Sequence, residues 1–238
     1  MAKMVGLSRK ITLGWLNKAA EFYMERKEDT DLKKQLSDYL SFEISSAINL
    51  RKTTAILLHV WCFEDVARDR LREQAQVLLA EDNDNALLVH WCMLLAAYPI
   101  FIDSTKLIGK LLEFQDEFKL STLKEKIFEQ WGERATLYHS LDKIMATFIE
   151  LGALERIGNG LYKQKNKLTV NKKAKELILH TMLILNGGNG INMDNLNDNP
   201  VFFPFEYNMS MEDLLYNENV TVQRFGDMYT VELKKDKV

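Results

Sequence analysis

The chain has 238 residues, 47% hydrophobic and 27% charged, the balance of an ordinary globular protein that can build its own core. Its net charge of −3 excludes a uniformly basic nucleic-acid coat protein, and its two cysteines point to a reducing compartment. The first residues lack the apolar core of an export signal, and no apolar run reaches the ~20 residues of a membrane span, so we expect a cytoplasmic protein.

Residues 1–100 carry apolar side chains at helical spacing, separated by short polar breaks, and this pattern predicts a helical bundle. Ser8 is available to cap the first helix, and Pro99 is expected to stop or kink the last. That last helix is apolar on nearly every side, which places it at the centre of the core. The predicted helices cover 8–28, 31–42, 45–63, 68–80 and 86–98.

The next segment, residues 101–175, has the element order of a winged helix-turn-helix. Asp103 or Ser104 is placed to cap its first helix, and Gly132 ends the second, because glycine enters the left-handed conformation at low cost. Gly158-Asn159-Gly160 between two β-prone runs predicts a hairpin, which would be the wing. The predicted helices cover 103–118, 122–131 and 134–151, and the predicted strands 153–157 and 161–165.

The last part, residues 176–238, is less regular. A helix over 172–185 leads into it, a Gly/Asn-rich loop follows, and residues 219–233 read as a hairpin with its turn at Phe225-Gly226-Asp227-Met228. The aromatic run 201–207 fits either a buried edge strand or a strand that docks a partner chain. The predicted fold class is thus mainly α, an N-terminal helical bundle followed by a winged helix-turn-helix and a small β-containing C-terminal region.

Charge is unevenly distributed. Residues 119–175 carry 12 basic and 6 acidic side chains, a net of +6, whereas residues 1–118 have a net of −3 and residues 176–238 a net of −6. A small basic module between acidic flanks is typical of a surface that binds a polyanion. Arg9-Lys10 and Arg51-Lys52 would add phosphate contacts if the bundle faced the same way as the wing.

The candidate nucleic-acid-binding residues are donors that lie off the apolar stripe of the long helix or on the wing. They are Arg134, Thr136, Tyr138, His139, Lys143, Arg156, Asn159, Lys163 and Lys165. Those expected to lie exposed on one face are Arg134, Tyr138, His139, Lys143, Arg156 and Lys163. If the structure buries that face, or interleaves it with Glu129 and Glu133, the DNA-binding hypothesis fails.

No metal, cofactor or catalytic site is predicted. His59, Cys62, His90 and Cys92 are a possible zinc ligand set by residue type, but His90 and Cys92 are two apart on a helix and point away from each other, so packing in the core is favoured. The chain has no Walker, GxGxxG, HExxH or GxSxG motif. A hydrolase or nuclease would need clustered carboxylates around a divalent metal, and a non-enzymatic protein is therefore expected.

Three stretches carry the layout of the helical part and the basic segment: RKITLGWLNKAAEFYMER, SFEISSAINLRKTTAILLHVW and TLKEKIFEQWGERATLYHSLDKIMATFIELGALER. Together they resemble the BrxA-type accessory proteins of BREX phage-defence systems. The resemblance is one of layout over about residues 1–180, and the acidic extension 186–238 departs from it. It implies a non-enzymatic, DNA-binding component of a bacterial defence complex, whose helical part is similar to a small RNA-binding antitermination fold.

Two functions follow from these patterns. The first is binding of duplex DNA through the winged helix, within a phage-defence or regulatory complex. The second is a protein–protein adaptor that uses the winged helix and the C-terminal strands to bridge larger subunits. An exposed apolar patch on the C-terminal region would favour the adaptor.

Overall fold

The computed structural model describes residues 5–27, 31–62, 66–81 and 83–234. Within them the chain is mainly helical, with a small strand-containing C-terminal region. The first helices lie within a few residues of their predicted positions, although residues 28 and 63, predicted to end two of them, fall outside the described ranges. Helices α1 to α5 cover Leu13–Glu25, Leu32–Ser41, Ala47–Cys62, Val66–Glu81 and Ala86–Ala97.

Helix α1 begins five residues later than predicted, because Thr12 rather than Ser8 is its N-cap. The Thr12 side chain accepts a hydrogen bond from the Trp15 backbone N–H at 3.2 Å. The residues that precede Thr12 are not helical. They pack against the core, since Leu7 and Ile11 have no exposed surface. The N-terminal segment, residues 7–11, is therefore a packed strap that leads into α1.

Pro99 starts a helix as well as ending one. Helix α6 covers Pro99–Leu112 and is bent by 118° from α5. Proline at the first position of a helix sacrifices no hydrogen bond, which makes the predicted start at Asp103 or Ser104 wrong. Asp103 instead accepts a hydrogen bond from the Trp131 indole N–H at 2.8 Å. Among the described residues no single helix is long and apolar enough to cross a membrane; only α5 and α6 taken together pass that test.

After α6 the chain forms a short strand where the sequence predicted more helix. Strand β3 pairs antiparallel with both β1 and β2, and the sheet order is β1-β3-β2. Gly132, with φ of 76°, ends α7 and redirects the chain into α8, and the predicted hairpin around Asn159 is confirmed. The elements are β1 Glu117–Lys119, α7 Leu120–Trp131, α8 Ala135–Glu150, β2 Leu154–Gly158 and β3 Leu161–Gln164.

The C-terminal region contains one long helix and two small sheets. Strand β4 pairs parallel with β6, and β8 pairs antiparallel with both β5 and β7. The predicted helix at 172–185 and the predicted hairpin around Gly226 are confirmed. The elements are β4 Leu168–Thr169, α9 Lys172–Leu185, β5 Ile191–Asn192, β6 Phe205–Glu206, α10 Met211–Leu215, β7 Val220–Phe225 and β8 Met228–Leu233.

The aromatic run 201–207 is buried but is not a continuous strand. Pro200–Phe202 form one turn of 3-10 helix, and only Phe205–Glu206 are extended and paired. Val201, Phe202, Phe203 and Phe205 are all buried. The docking-strand interpretation of this run is therefore wrong, because its apolar side chains already fill the protein's own core.

Trp91 on α5 joins the three predicted regions of the chain. Its indole N–H donates to the Val201 carbonyl oxygen at 2.9 Å. Its ring lies 5.5 Å from Phe148 of α8 and 5.6 Å from Phe203, measured between ring centroids. A single cluster of buried apolar residues accordingly runs from the strap through α5 and α8 to the C-terminal region.

Candidate nucleic-acid interface

Helix α8 is held against the core by one continuous face. The residues on that face are Leu137, Ser140, Leu141, Ile144, Met145, Thr147 and Phe148, all buried. Thr136, His139 and Lys143 are exposed, and their spacing puts them on one side of the helix, within about 60° of one another at ~100° per residue and next to the edge of the buried face. The outer face of α8, defined by these three residues, thus presents two hydrogen-bonding groups and a lysine.

Both carboxylates on α8 are paired with lysines from other elements. Asp142 lies 2.7 Å from Lys124 of α7, and Glu150 lies 2.6 Å from Lys10 of the strap. The Lys124 side chain is only 9% exposed, so its pair with Asp142 is largely shielded from water on the lysine side. Each negative charge that α8 carries is therefore matched locally by a positive one.

Tyr138 does not share the outer face with Lys143. Its ring stacks on Phe128 of α7, with centroids 6.3 Å apart and planes 24° from parallel, and the Lys124 ammonium lies 3.4 Å from the Tyr138 ring centroid. Three carboxylates line the same groove between α7 and α8, those of Glu125, Glu129 and Glu133. This is the interleaving that counts against DNA contact, and it removes Tyr138 from the predicted single face.

Arg134 is placed at the start of α8 and is only half-buried, not fully exposed. It is the N-cap residue by backbone position, and its carbonyl oxygen accepts hydrogen bonds from the backbone N–H groups of Leu137 at 3.0 Å and Tyr138 at 3.1 Å. The prediction of one exposed face is thus wrong for Tyr138 and holds only partly for Arg134.

On the β2–β3 hairpin, the predicted wing, two of the predicted basic residues already have partners. Arg156 donates from Nε to the Gly158 carbonyl oxygen at 3.0 Å and from its guanidinium to Asn159 Oδ1 at 3.2 Å, which fixes the turn. Lys163 lies between Glu155 and Glu117 in the register of the sheet and is 2.7 Å from Glu155. The hydrogen bond and the charge of Glu155 raise the pKa of Lys163.

Lys165 is an exposed basic residue just beyond β3, at the end of the hairpin that the sequence predicts as the wing. Its backbone N–H donates to the Ala153 carbonyl oxygen at 3.2 Å, which continues the hairpin one residue beyond β3. Asn159 is exposed at the tip of the hairpin. The wing therefore offers Lys165 and the amide of Asn159 at its surface, while its other two cations help to hold it together.

Lys10 of the strap contacts the C-terminal end of α8. The sequence shows Arg9-Lys10 as a basic pair, but it does not predict the contact of Lys10 with Glu150, because the two residues are 140 positions apart. The Ile11 backbone N–H donates to Thr147 Oγ1 at 3.0 Å and locks the strap onto the C-terminal half of α8. No local sequence signal predicts this docking.

The four residues considered as zinc ligands are used elsewhere. His59 Nε2 is 3.2 Å from the Ala97 carbonyl oxygen, and His90 Nε2 is 2.7 Å from Asn17 Oδ1. Burial lowers the pKa of His90 to about 3 and raises the pKa of the Cys92 thiol to about 12. Within the ranges that the structure describes, no group of three or more His, Cys, Asp or Glu side chains is placed to hold a metal ion.

A scan against protein-family models, a search of curated proteins and a search of solved structures each gave no match to this chain. The arrangement of residues around α8 is thus the basis for any functional argument.

Proposed function

We propose that residues 99–164 form a winged helix-turn-helix and that it binds duplex DNA with α8 in the major groove. The observation that carries the proposal is the outer face of α8, where Thr136, His139 and Lys143 are exposed together. A major groove about 12 Å wide admits a helix, and donors at its N-terminal half meet base edges and phosphates.

The order and pairing of elements support this interpretation. Helix α6, strand β1, helices α7 and α8 and the β2–β3 hairpin follow one another, and β1 completes a three-stranded sheet with the hairpin. Buried Phe118 and Tyr162 stack across β1 and β3 at 5.9 Å, which anchors the sheet beside the helices. In this architecture the second helix of the turn enters the groove and the hairpin reaches the neighbouring backbone.

The carboxylates of Glu125, Glu129 and Glu133 line the groove beside Tyr138, whereas Thr136, His139 and Lys143 do not line that groove. The charge balance on α8 itself is compatible with DNA. An isolated carboxylate on the groove-facing side would repel phosphates, but Asp142 and Glu150 are each paired with a lysine. Of the residues predicted from sequence, we assign groove contacts to Thr136, His139 and Lys143 and backbone contacts to Asn159 and Lys165. The remaining four have a positioning role: Arg134, Tyr138, Arg156 and Lys163.

The biological setting is an extension of the same proposal. We place the protein as a non-enzymatic, DNA-binding component of a phage-defence or regulatory complex, on the layout resemblance to BrxA-type proteins. Contact with chromosomal or phage DNA would require a cytoplasmic location.

The test is binding of the purified chain to a labelled duplex across a salt series. The logarithm of the association constant should fall linearly with the logarithm of salt concentration, with a slope near −0.9 per phosphate contact. The double variant Lys143→Gln plus Lys165→Gln should weaken binding through the loss of both contacts and flatten the slope by about 0.9 through the loss of the backbone contact of Lys165. Lys18→Gln is the matched control, because Lys18 lies in α1 and pairs with Glu21 within its own helix. Absence of binding at low salt, or equal slopes in all three proteins, would refute the proposal.

A protein–protein adaptor is the second candidate, and one observation favours it. Large apolar side chains of the C-terminal region are exposed at the end of α10 and at the β7–β8 turn: Leu215, Tyr216, Phe225 and Met228. Replacing Phe225 and Met228 with serine separates the two functions. If the protein is an adaptor, this variant should no longer capture its protein partner, and its affinity for DNA should be unchanged. If the protein only binds DNA, the variant should behave like the wild-type chain in both assays.

A further inference from the structure

The strap meets α8 at one charge pair, Lys10 with Glu150. Ile11 is fully buried, and its backbone N–H donates to Thr147 Oγ1 at 3.0 Å. The Thr147 hydroxyl in turn donates to the carbonyl oxygen of Lys143 within α8 at 2.9 Å, which orients the acceptor. The position of residue 10 is thus fixed relative to α8 by a backbone hydrogen bond and a buried side chain at the next residue.

Helix geometry puts Glu150 on the same side of α8 as the proposed DNA contacts. It follows Lys143 by seven residues and His139 by eleven, so all three lie within about 40° around the helix axis. The rise from Lys143 to Glu150 is about 10 Å. The Lys10 ammonium, 2.6 Å from Glu150, consequently lies about one major-groove width from Lys143.

We infer that Lys10 contacts the DNA backbone while it remains beside Glu150, so that one ammonium bridges a phosphate and the carboxylate; this rests on the proposed function. The side chains of Lys10 and Glu150 are 43% and 39% exposed. An ion pair so accessible to water contributes little to stability, and an ammonium has three donors, so it can donate to a phosphate as well as to the carboxylate. Because the strap is already packed against α8, its contact with DNA would not cost the conformational entropy that a free N-terminal arm loses when it becomes ordered.

Substitution of Lys10 and substitution of Glu150 should change the affinity for DNA in opposite directions. Lys10→Gln removes one phosphate contact and leaves Glu150 uncompensated on the DNA-facing side. Its association constant should fall several-fold at low salt, and its salt slope should flatten by about 0.9. Glu150→Gln releases Lys10 and removes the repulsion, so it should bind the same duplex more tightly than the wild-type chain. A merely structural ion pair would not produce this opposition.

The measurement is fluorescence anisotropy of a labelled duplex titrated with the full chain, repeated at several salt concentrations. Lys18→Gln is again the matched control, since the Lys18–Glu21 pair has the same 2.6 Å separation. Thermal unfolding of each variant shows that the fold is kept.

The outcomes separate this inference from the proposed function. A wild-type chain that binds no DNA overturns both. DNA binding that weakens in Lys143→Gln but is the same in Lys10→Gln as in Lys18→Gln overturns the role of Lys10 alone. Opposite shifts for Lys10→Gln and Glu150→Gln, with Lys18→Gln unchanged, are the result expected here.

Discussion

Gly109 on α6 lies directly against the backbone of Pro200, and no other residue fits there without movement. A β-carbon at position 109 would stand 2.7 Å from the Pro200 carbonyl carbon, and closer still to its oxygen. The C-terminal region is thus seated on α6, the first helix of the proposed winged helix, through a contact between two backbones. A side chain at position 109 would push them apart.

Gly109→Ala should therefore destabilise the fold by about 1–3 kcal/mol, the usual cost of overpacking. The measurement is urea unfolding followed by circular dichroism. Gly14→Ala in α1 is the matched control, because its β-carbon would meet nothing within 4 Å. There the helix propensity of alanine should add up to ~1 kcal/mol of stability. A Gly109→Ala variant as stable as the wild type would show that the backbones separate easily.

Thr147→Val tests how firmly the strap is attached to α8. Thr147 is fully buried, and valine would leave the Ile11 backbone N–H without its acceptor. An unsatisfied buried donor costs about 1–3 kcal/mol, so the midpoint of urea unfolding should fall clearly.

Thr105→Val is the comparison for that variant. Thr105 is equally buried, but its hydroxyl only donates to the carbonyl oxygens of Phe101 and Ile102 in its own helix. That substitution should cost under ~1 kcal/mol, since the carbonyl groups retain their place in the helix. Equal losses in the two threonine variants would mean that the strap contact contributes nothing of its own.

Tyr138 and His139 are neighbours on α8 and should respond differently. Tyr138→Ala removes the stacking on Phe128 and the contact with Lys124, so it should lower stability by about 1 kcal/mol with the salt slope of DNA binding unchanged. His139→Ala should weaken DNA binding with stability preserved. Reversed effects would place Tyr138 on the DNA and His139 in the packing.

Acid should unfold the protein through two buried histidines. Burial lowers the pKa of His90 to about 3, and burial together with the charge of Arg70 lowers the pKa of His180 to about 4. The unfolded chain takes up protons below about pH 6.5, where the folded chain keeps both rings neutral. The free energy of unfolding should therefore fall as pH drops from 6.5 to 4, by up to ~1.4 kcal/mol per unit for each ring.

The check is chemical denaturation at pH 7.5, 6.5 and 5.5, where most carboxylates are still ionised. His180→Gln keeps a hydrogen-bonding group opposite Gln74, which His180 Nδ1 contacts at 2.7 Å, and should reduce the slope of stability against pH. Parallel pH dependence in the variant and the wild type would rule out His180 as a contributor.

Local periodicity predicted most of the helices, because each apolar stripe is a property of neighbouring residues. The same reasoning placed the hairpin at Asn159, where glycines on both sides tolerate the turn. The helix end at Pro99 is confirmed, but the start of the next helix was predicted four or five residues too late, since a proline that ends one helix can equally begin the next. Local periodicity also extended that helix through residue 118, where pairing with β3 makes Phe118 part of a strand.

The candidate site was less predictable, because charge partners are set by tertiary contacts. The sequence predicted polar and basic residues along α8, but not that Glu155 pairs with Lys163 or that Lys124 pairs with Asp142. Tyr138 and Lys143 are five residues apart, and both can donate a hydrogen bond. Only the position of α7 places the ring of Tyr138 against Phe128, whereas Lys143 makes no such contact with the described residues of α7.

Trp91 connects the predicted regions of the chain through one core. Phe148 and Phe203 come from different predicted regions, yet both rings pack against that indole. Ending the chain before residue 200 would remove Phe203 and Phe205 from around a ring with no exposed surface, together with the acceptor of its N–H, and would leave Phe101 and Phe148 beside it. We therefore expect truncation to destabilise the helical core as well as delete the extension, so surface substitutions are the better way to separate functions of the two ends.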